Sequence, residues 1–298
     1  MPLVALKVDV DTLRGTQEGT PRLAALLERL AARATFLFSL GPDHTGRALK
    51  RIFRRGFLGK VRRTSVLKHY GLRTLLYGVV LPGPHIGRRA ARAMQQVAAA
   101  GFEVGVHTWD HVRWQDHVAA ADDAWTRREL TLARDQFAEV FGRMPQVHGA
   151  AGWQMNDYVP GLEAQLGFRY ASDTRGTGPF LPQLAMGVAG VPQLPTTLPT
   201  LDELIGREDL QGEDPVDHLL RLCALNPGDQ VFTLHAELEG GAYLSAFERL
   251  LAGWRARGYE LTDLGSYAQR LHLKSLRPAR IARGTVPGRS GTLAVQAP

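Results

Sequence analysis

The run VALKVDVD, residues 4–11, decides the reading of the whole chain. Val4, Leu6, Val8 and Val10 alternate with Ala5, Lys7, Asp9 and Asp11, the period of a strand with two distinct faces. Residues two apart on a strand point the same way, so both aspartates can project into one cavity. Two carboxylates side by side resist joint ionisation unless a cation lies between or beside them. Taken alone, the same pair fits an Asx-turn and a helix cap equally well.

Strand and helix patterns alternate outward from this run. Thr20-Pro21 reads as an N-cap followed by proline at the first helical position, with Leu23, Leu26, Leu27 and Leu30 as the apolar stripe. Strands are expected at 35–38, 102–106, 168–172, 231–234 and 259–262. Helices are expected at 86–100, 123–141, 162–166 and 244–257, ended by Gly101, Gly142, Gly167 and Gly258. Thr126 and Glu129 have capping-box spacing. Repeated βα units predict an α/β fold, a parallel (β/α) barrel or a doubly wound sheet. The chemically suggestive residues Asp9, Asp11, His107, Asp173 and His235 fall at C-terminal strand ends, where such folds place their sites. The Gly- and Pro-containing tail from Gly284 is expected to be irregular.

The chain has 298 residues, 44% of them hydrophobic, enough for a sizeable core. Cys223 is the only cysteine, which excludes an internal disulfide and suits a reducing compartment. The apolar start is too short for a signal peptide, and no stretch approaches the ~20 apolar residues of a membrane span. A soluble or peripheral cytoplasmic protein is expected. The net charge of +7 is regional: no acid lies between Asp43 and Glu103, a stretch that holds thirteen of the 36 Lys and Arg. A second acid-free stretch follows Asp263.

Two further motifs complete a constellation. In HTWDH, residues 107–111, imidazoles four apart would share one face of a helical turn and bind one metal through nitrogen, leaving positions for water and substrate. Two surface histidines would fit the same spacing, but a carboxylate added to them makes an Asp-His-His set suited to Zn²⁺ and other divalent transition metals. His235 ends the β-prone run VFTL (231–234) and would face the same mouth, a position for acid–base work.

In order and spacing, these motifs resemble the polysaccharide-deacetylase (NodB-homology) superfamily, and within it the members that deformylate a 4-formamido-arabinose carried on a polyprenyl phosphate. The resemblance is carried by VDVDTLRGTQEGTPRL (8–23), FSLGPDHTGR (38–47), EVGVHTWDH (103–111), AAGW (150–153), SDTRG (172–176), QLPTTLPTLDELIGR (193–207) and HAELEGGAY (235–243). It implies a distorted parallel barrel, here residues 1–275 with a basic tail at 276–298. It also implies Asp11, His107 and His111 as ligands of Zn, Co, Mn or Ni, Asp9 as general base and His235 as general acid. Its further implications are a role in lipid A modification and polymyxin resistance, at the cytoplasmic face of an inner membrane. The superfamily's first motif has adjacent aspartates, where Val10 intervenes here. The arginine that orients the base is missing from 149–153, so Arg175 is the candidate replacement and Asp173 the candidate partner of His235. Trp153, Glu239, Tyr243 and Arg47 are candidate substrate contacts.

Residues 44–84 interrupt the βα rhythm with Lys and Arg mixed among Ile52, Phe53, Phe57, Leu58, Val79, Val80 and Leu81. Basic and apolar residues without acids suit an anionic membrane surface. No nucleic-acid motif accompanies the charge, and no nucleic-acid partner is expected. The alternatives are a deacetylase of another N-acyl sugar or small amide, and a non-catalytic basic adaptor for membrane or nucleic acid.

Overall fold

β1, Leu3–Val10, is buried along its whole length. In the computed structural model, which describes residues 1–48, 71–184 and 190–298, its alternation separates two dry compartments. Val4, Leu6, Val8 and Val10 pack outward with Leu23, Leu27, Phe247 and Leu250. Leu3 and Ala5 pack inward with Leu37, Val147, Tyr170, Leu194 and Val231. A parallel strand covered by helices on one face and barrel filling on the other has no wet side. Lys7 and Asp9 continue the inward series towards the strand's C-terminal end.

The remaining strands are β2 (Thr35–Ser39), β3 (Glu103–Thr108), β4 (Val147–His148), β5 (Tyr170–Ala171), β6 (Leu181–Pro182), β7 (Gln230–His235), β8 (Glu260–Thr262), β9 (Pro278–Gly284) and β10 (Leu293–Ala297). The main sheet is parallel, ordered β5-β4-β3-β2-β1-β7, with β8 against the start of β1. Its two edges are joined by extended chain. Leu194 donates to the Ala171 carbonyl at 2.8 Å and Thr197 to the Val231 carbonyl at 3.0 Å. The result is the expected distorted parallel α/β barrel, part sheet and part irregular strand.

Helices at Thr20–Arg29, Asp123–Phe141, Val159–Leu166 and Leu244–Ala256 follow the sequence pattern closely. Two local expectations are corrected. The stretch 86–100 is split into Ile86–Arg89 and Ala91–Ala99, because Ala90 at φ −119° leaves helical geometry. Asp122, not Thr126, caps Asp123–Phe141: its carboxylate accepts from Trp125 N at 2.8 Å, while Thr126 Oγ1 donates to the Asp122 carbonyl. The capping box is at Thr200 and Glu203, opening Leu201–Leu204.

The tail is also corrected. β9 and β10 form an antiparallel pair, and β9 runs parallel to β6. Leu293 and Ala294 are buried, and Arg175 lends its backbone, donating to the Ala294 carbonyl and accepting from Gln296 N. Hydrogen bonds supplied by the barrel thus order a segment whose composition reads as loop. Most of the basic insert, 49–70, lies outside the described residues. Of its remainder, Leu72–Leu76 is helical, and Arg47 Nε donates to the Gly78 carbonyl at 3.0 Å. Among the described residues no helix is long and apolar enough to cross a membrane.

Candidate active site

β1 delivers Asp9 and, one residue past its end, Asp11; β3 delivers His107, and β7 delivers His235, which pairs in register with Asp9. Asp11 Oδ1 lies 3.2 Å from His107 Nε2 and 3.3 Å from His111 Nε2. The two imidazoles do not share a helical turn, as their spacing had suggested. His107 ends a strand and His111 starts the helix His111–His117, whose N-cap Asp110 accepts from Arg113 N at 3.1 Å. The strand-to-helix turn brings them together.

These residues fit a divalent metal. Asp11 Oδ1 is buried without a hydrogen-bond partner, and ligand atoms of Asp11, His107 and His111 lie within 4.8 Å of one another. His107 Nδ1 is 2.7 Å from the Gly149 carbonyl, which fixes the proton on Nδ1 and leaves the Nε2 lone pair free. Burial pushes His111 down to about 4, helped by the neighbouring imidazoles, so it stands neutral and able to ligate. Burial would raise the Asp11 carboxyl, but His111 and His107 outweigh it and hold it below the usual range.

Lys7 is the cation beside Asp9, and the sequence reading assigned it no role. Its Nζ is 3.4 Å from Asp9 Oδ2 and donates to the Ser172 carbonyl at 2.9 Å, with its side chain fully buried. Gly149 leaves the room: a Cβ there would meet Leu37 Cδ1 at 2.5 Å and Lys7 Cε at 3.1 Å. Asp9 Oδ1 has no hydrogen-bond partner. The expectation for Arg175 is corrected accordingly, since its guanidinium pairs with Glu203 and donates to the Leu198 carbonyl at 2.9 Å.

Asp173 is corrected too. It lies 3.1 Å from His148 Nδ1, accepts from Ala150 N at 2.7 Å and from Gln193 Nε2, and does not touch His235. Asp202 is the carboxylate near His235, with Oδ1 at 3.8 Å from Nδ1. Burial alone would lower His235, but Asp202 and Asp11 lift it to about 8. Glu239 is fully buried; its Oε2 accepts from His235 N at 2.8 Å, and its Oε1 has no hydrogen-bond partner. Trp153, only 2% exposed, is likewise turned inward, with Lys7, Arg175 and Arg289 about its ring at 5.4, 5.0 and 4.8 Å. Tyr243 is half-buried at the start of Leu244–Ala256, and Arg47 is exposed on the insert. Lys7 was visible only as one member of an alternating strand, and Asp202 only as part of a resembling segment.

A parallel barrel with an Asp-His-His cluster, a carboxylate and an imidazole at its strand ends defines an amide hydrolase of the metal-dependent kind. The chain belongs to the polysaccharide deacetylase family, whose model matches residues 2–171. It is 37% identical to the "Probable 4-deoxy-4-formamido-L-arabinose-phosphoundecaprenol deformylase ArnD" of Shewanella sediminis, over 88% of this chain and 84% of that one. It is 31% identical to the protein of that name from Wigglesworthia glossinidia brevipalpis, over 95% of this chain and 98% of that one. A crystal structure from Mycobacterium smegmatis, named as a polysaccharide deacetylase, shares the fold at 21% identity with a TM-score of 0.65, covering 95% of this chain and 94% of that one.

Proposed function

We propose that this chain hydrolyses the formamide of undecaprenyl-phosphate-linked 4-deoxy-4-formamido-L-arabinose, giving formate and the 4-amino sugar on its lipid. The observation that carries the reading is the buried Asp11–His107–His111 cluster flanked by Asp9 and His235, in a chain 37% identical to a relative named for that reaction. Asp11, His107 and His111 would hold Zn, Co, Mn or Ni, which when bound supplies Lewis-acid polarisation of the formyl carbonyl and acidifies water. Asp9 accepts a proton on Oδ1 from the water that attacks the formyl carbon, while Lys7 holds the other oxygen. His235, lifted to about 8, donates a proton to the sugar nitrogen as the C–N bond breaks, because an amide nitrogen leaves poorly without one.

The test is mass spectrometry of the formamido-arabinose lipid after incubation with purified protein and Co²⁺, Mn²⁺ or Zn²⁺. Release of formate, its loss on metal stripping, and lower metal content in His107→Ala are expected. Undiminished activity after stripping sinks the metal assignment. Acetate release from N-acetyl sugars with no deformylation sinks the substrate.

We further infer that residues 44–84 dock the barrel, within 1–275, on the anionic cytoplasmic leaflet of an inner membrane. Leu72 and Val80 are 67% and 72% exposed, with Val79 and Leu81 beside Val80 in the chain, and they accompany a run of cations without acids. Binding to liposomes containing anionic lipid should weaken as salt rises and when 49–70 is deleted. No binding at low salt would remove the membrane from this reading.

A further inference from the structure

The loop between β9 and β10 carries a side chain to the reaction site from the far end of the chain. Gly288, at φ 85°, lies so close to Glu203 that a Cβ would sit 2.3 Å from the Glu203 carbonyl oxygen. Only glycine permits this approach without strain, and it sets Arg289 over the short helix Leu201–Leu204. There Arg289 Nη2 is 3.0 Å from Asp202 Oδ2 and 3.2 Å from Asp202 Oδ1. Its Nε donates to Glu203 Oε1 at 2.9 Å, and its guanidinium lies 4.8 Å from the centre of the Trp153 ring. Asp202 in turn has Oδ1 3.8 Å from His235 Nδ1.

We propose that Arg289 is a positioning residue for the reaction, holding the Asp202 carboxylate against His235, so that the C-terminal hairpin is part of the active site. The proposal rests on the reading of His235 as the proton donor.

The physical need is visible in the geometry. At 3.8 Å the Asp202–His235 contact is longer than a hydrogen bond, and Thr200 Oγ1, donating to Asp202 Oδ1 at 2.5 Å, still leaves the partly exposed carboxylate free to swing about that contact. A guanidinium fork that contacts two adjacent acids removes that freedom. The ring of Trp153, itself at a left-handed φ of 52°, adds a cation–π face beneath the fork. Lysine supplies the charge without the planar fork and can fill only part of this role.

The experiment uses the full chain and the variants Arg289→Ala, Arg289→Lys, Asp202→Asn and the double variant Asp202→Asn/Arg289→Ala. Initial rates are measured on the formamido-arabinose lipid, with metal content and Tm recorded for each protein. Arg289→Ala should lower kcat about 10- to 100-fold with KM little changed and metal content retained. Arg289→Lys should recover part of the loss, as should added guanidinium ion with Arg289→Ala. The double variant should be no slower than Asp202→Asn alone, since both substitutions break one linkage. A raised KM with unchanged kcat would make Arg289 a substrate contact and overturn the proposal. Additive losses, or a lowered Tm with wild-type kcat, would overturn it as well. Should the wild type leave this lipid untouched, the substrate reading fails, and a crystal structure of Arg289→Ala decides: Asp202 turned away from His235 supports positioning, and an unmoved Asp202 refutes it.

Discussion

Lys7 shows how one side chain sets the terms for its neighbours. It is fully buried, and a buried ammonium persists only with compensation, here Asp9 Oδ2 at 3.4 Å, the Ser172 carbonyl and the face of Trp153. In place of the arginine missing from 149–153, a lysine on the same strand stands beside Asp9, the proposed base. Lys7→Met keeps the volume, removes the charge and leaves Asp9 unaccompanied. Its kcat should fall about 10²-fold or more with metal content retained, while Lys7→Arg keeps part of the activity. A fully active Lys7→Met would show that Asp9 needs no cation. Lys7 was present in the first line of sequence as an alternating residue. Its meaning was illegible there because Gly149, which makes its space, lies 142 residues on, just after β4.

The element that matters most is the turn from β3 into the helix His111–His117. Asp110 serves it twice, accepting from Arg113 N with Oδ1 and facing His44 Nδ1 at 2.6 Å with Oδ2. Removing such a cap costs about 0.5–2 kcal/mol. Because His111 is the first residue of the helix, loosening the cap also loosens one member of the candidate metal-binding cluster. Asp110→Ala should therefore lower Tm and weaken metal binding together, measured by melting and by titration with Co²⁺. A lowered Tm with unaltered metal affinity would mean that the strand alone places the candidate ligands. The HxxxH spacing was legible in the sequence, whereas its geometry was not, since strand followed by helix and one continuous helical turn both bring residues four apart within reach.

At the scale of the molecule, charge is buried in more than the site. His148, Glu163 and Asp173 form a fully buried cluster with His148 Nδ1 2.6 Å from Glu163 and 3.1 Å from Asp173. Burial would lower His148, but Asp173 and Glu163 outweigh it and lift the imidazole to about 10. The sign follows directly. A histidine raised above its ordinary 6.5 adds stability in full below that pH, and the contribution is lost as pH rises through about 10. Tm should decline across this window in the wild type and decline less steeply in His148→Gln. Parallel slopes for the two proteins would show that His148 is neutral in the fold. The cluster also ties the helix Val159–Leu166 and the segment after β5 to β4, whose next residue, Gly149, holds His107.

By itself the sequence determined the alternation that makes β1, the βα order that makes a parallel barrel, and the residues Asp11, His107 and His111. These are local properties: periods of two and 3.6, and donor types at strand ends. Only the tertiary structure decided the partners. Asp202 with His235, Asp173 with His148, and the tail's Arg289 above Trp153 join residues 33, 25 and 136 positions apart that no local pattern relates, and Lys7 meets Asp9 in space that Gly149 leaves. A carboxylate's pattern in sequence is the same whichever imidazole it meets. The meeting is set by barrel closure through 192–198 and by the hairpin of β9 and β10, where hydrogen bonds from Arg175's backbone order a tail whose composition alone reads as loop.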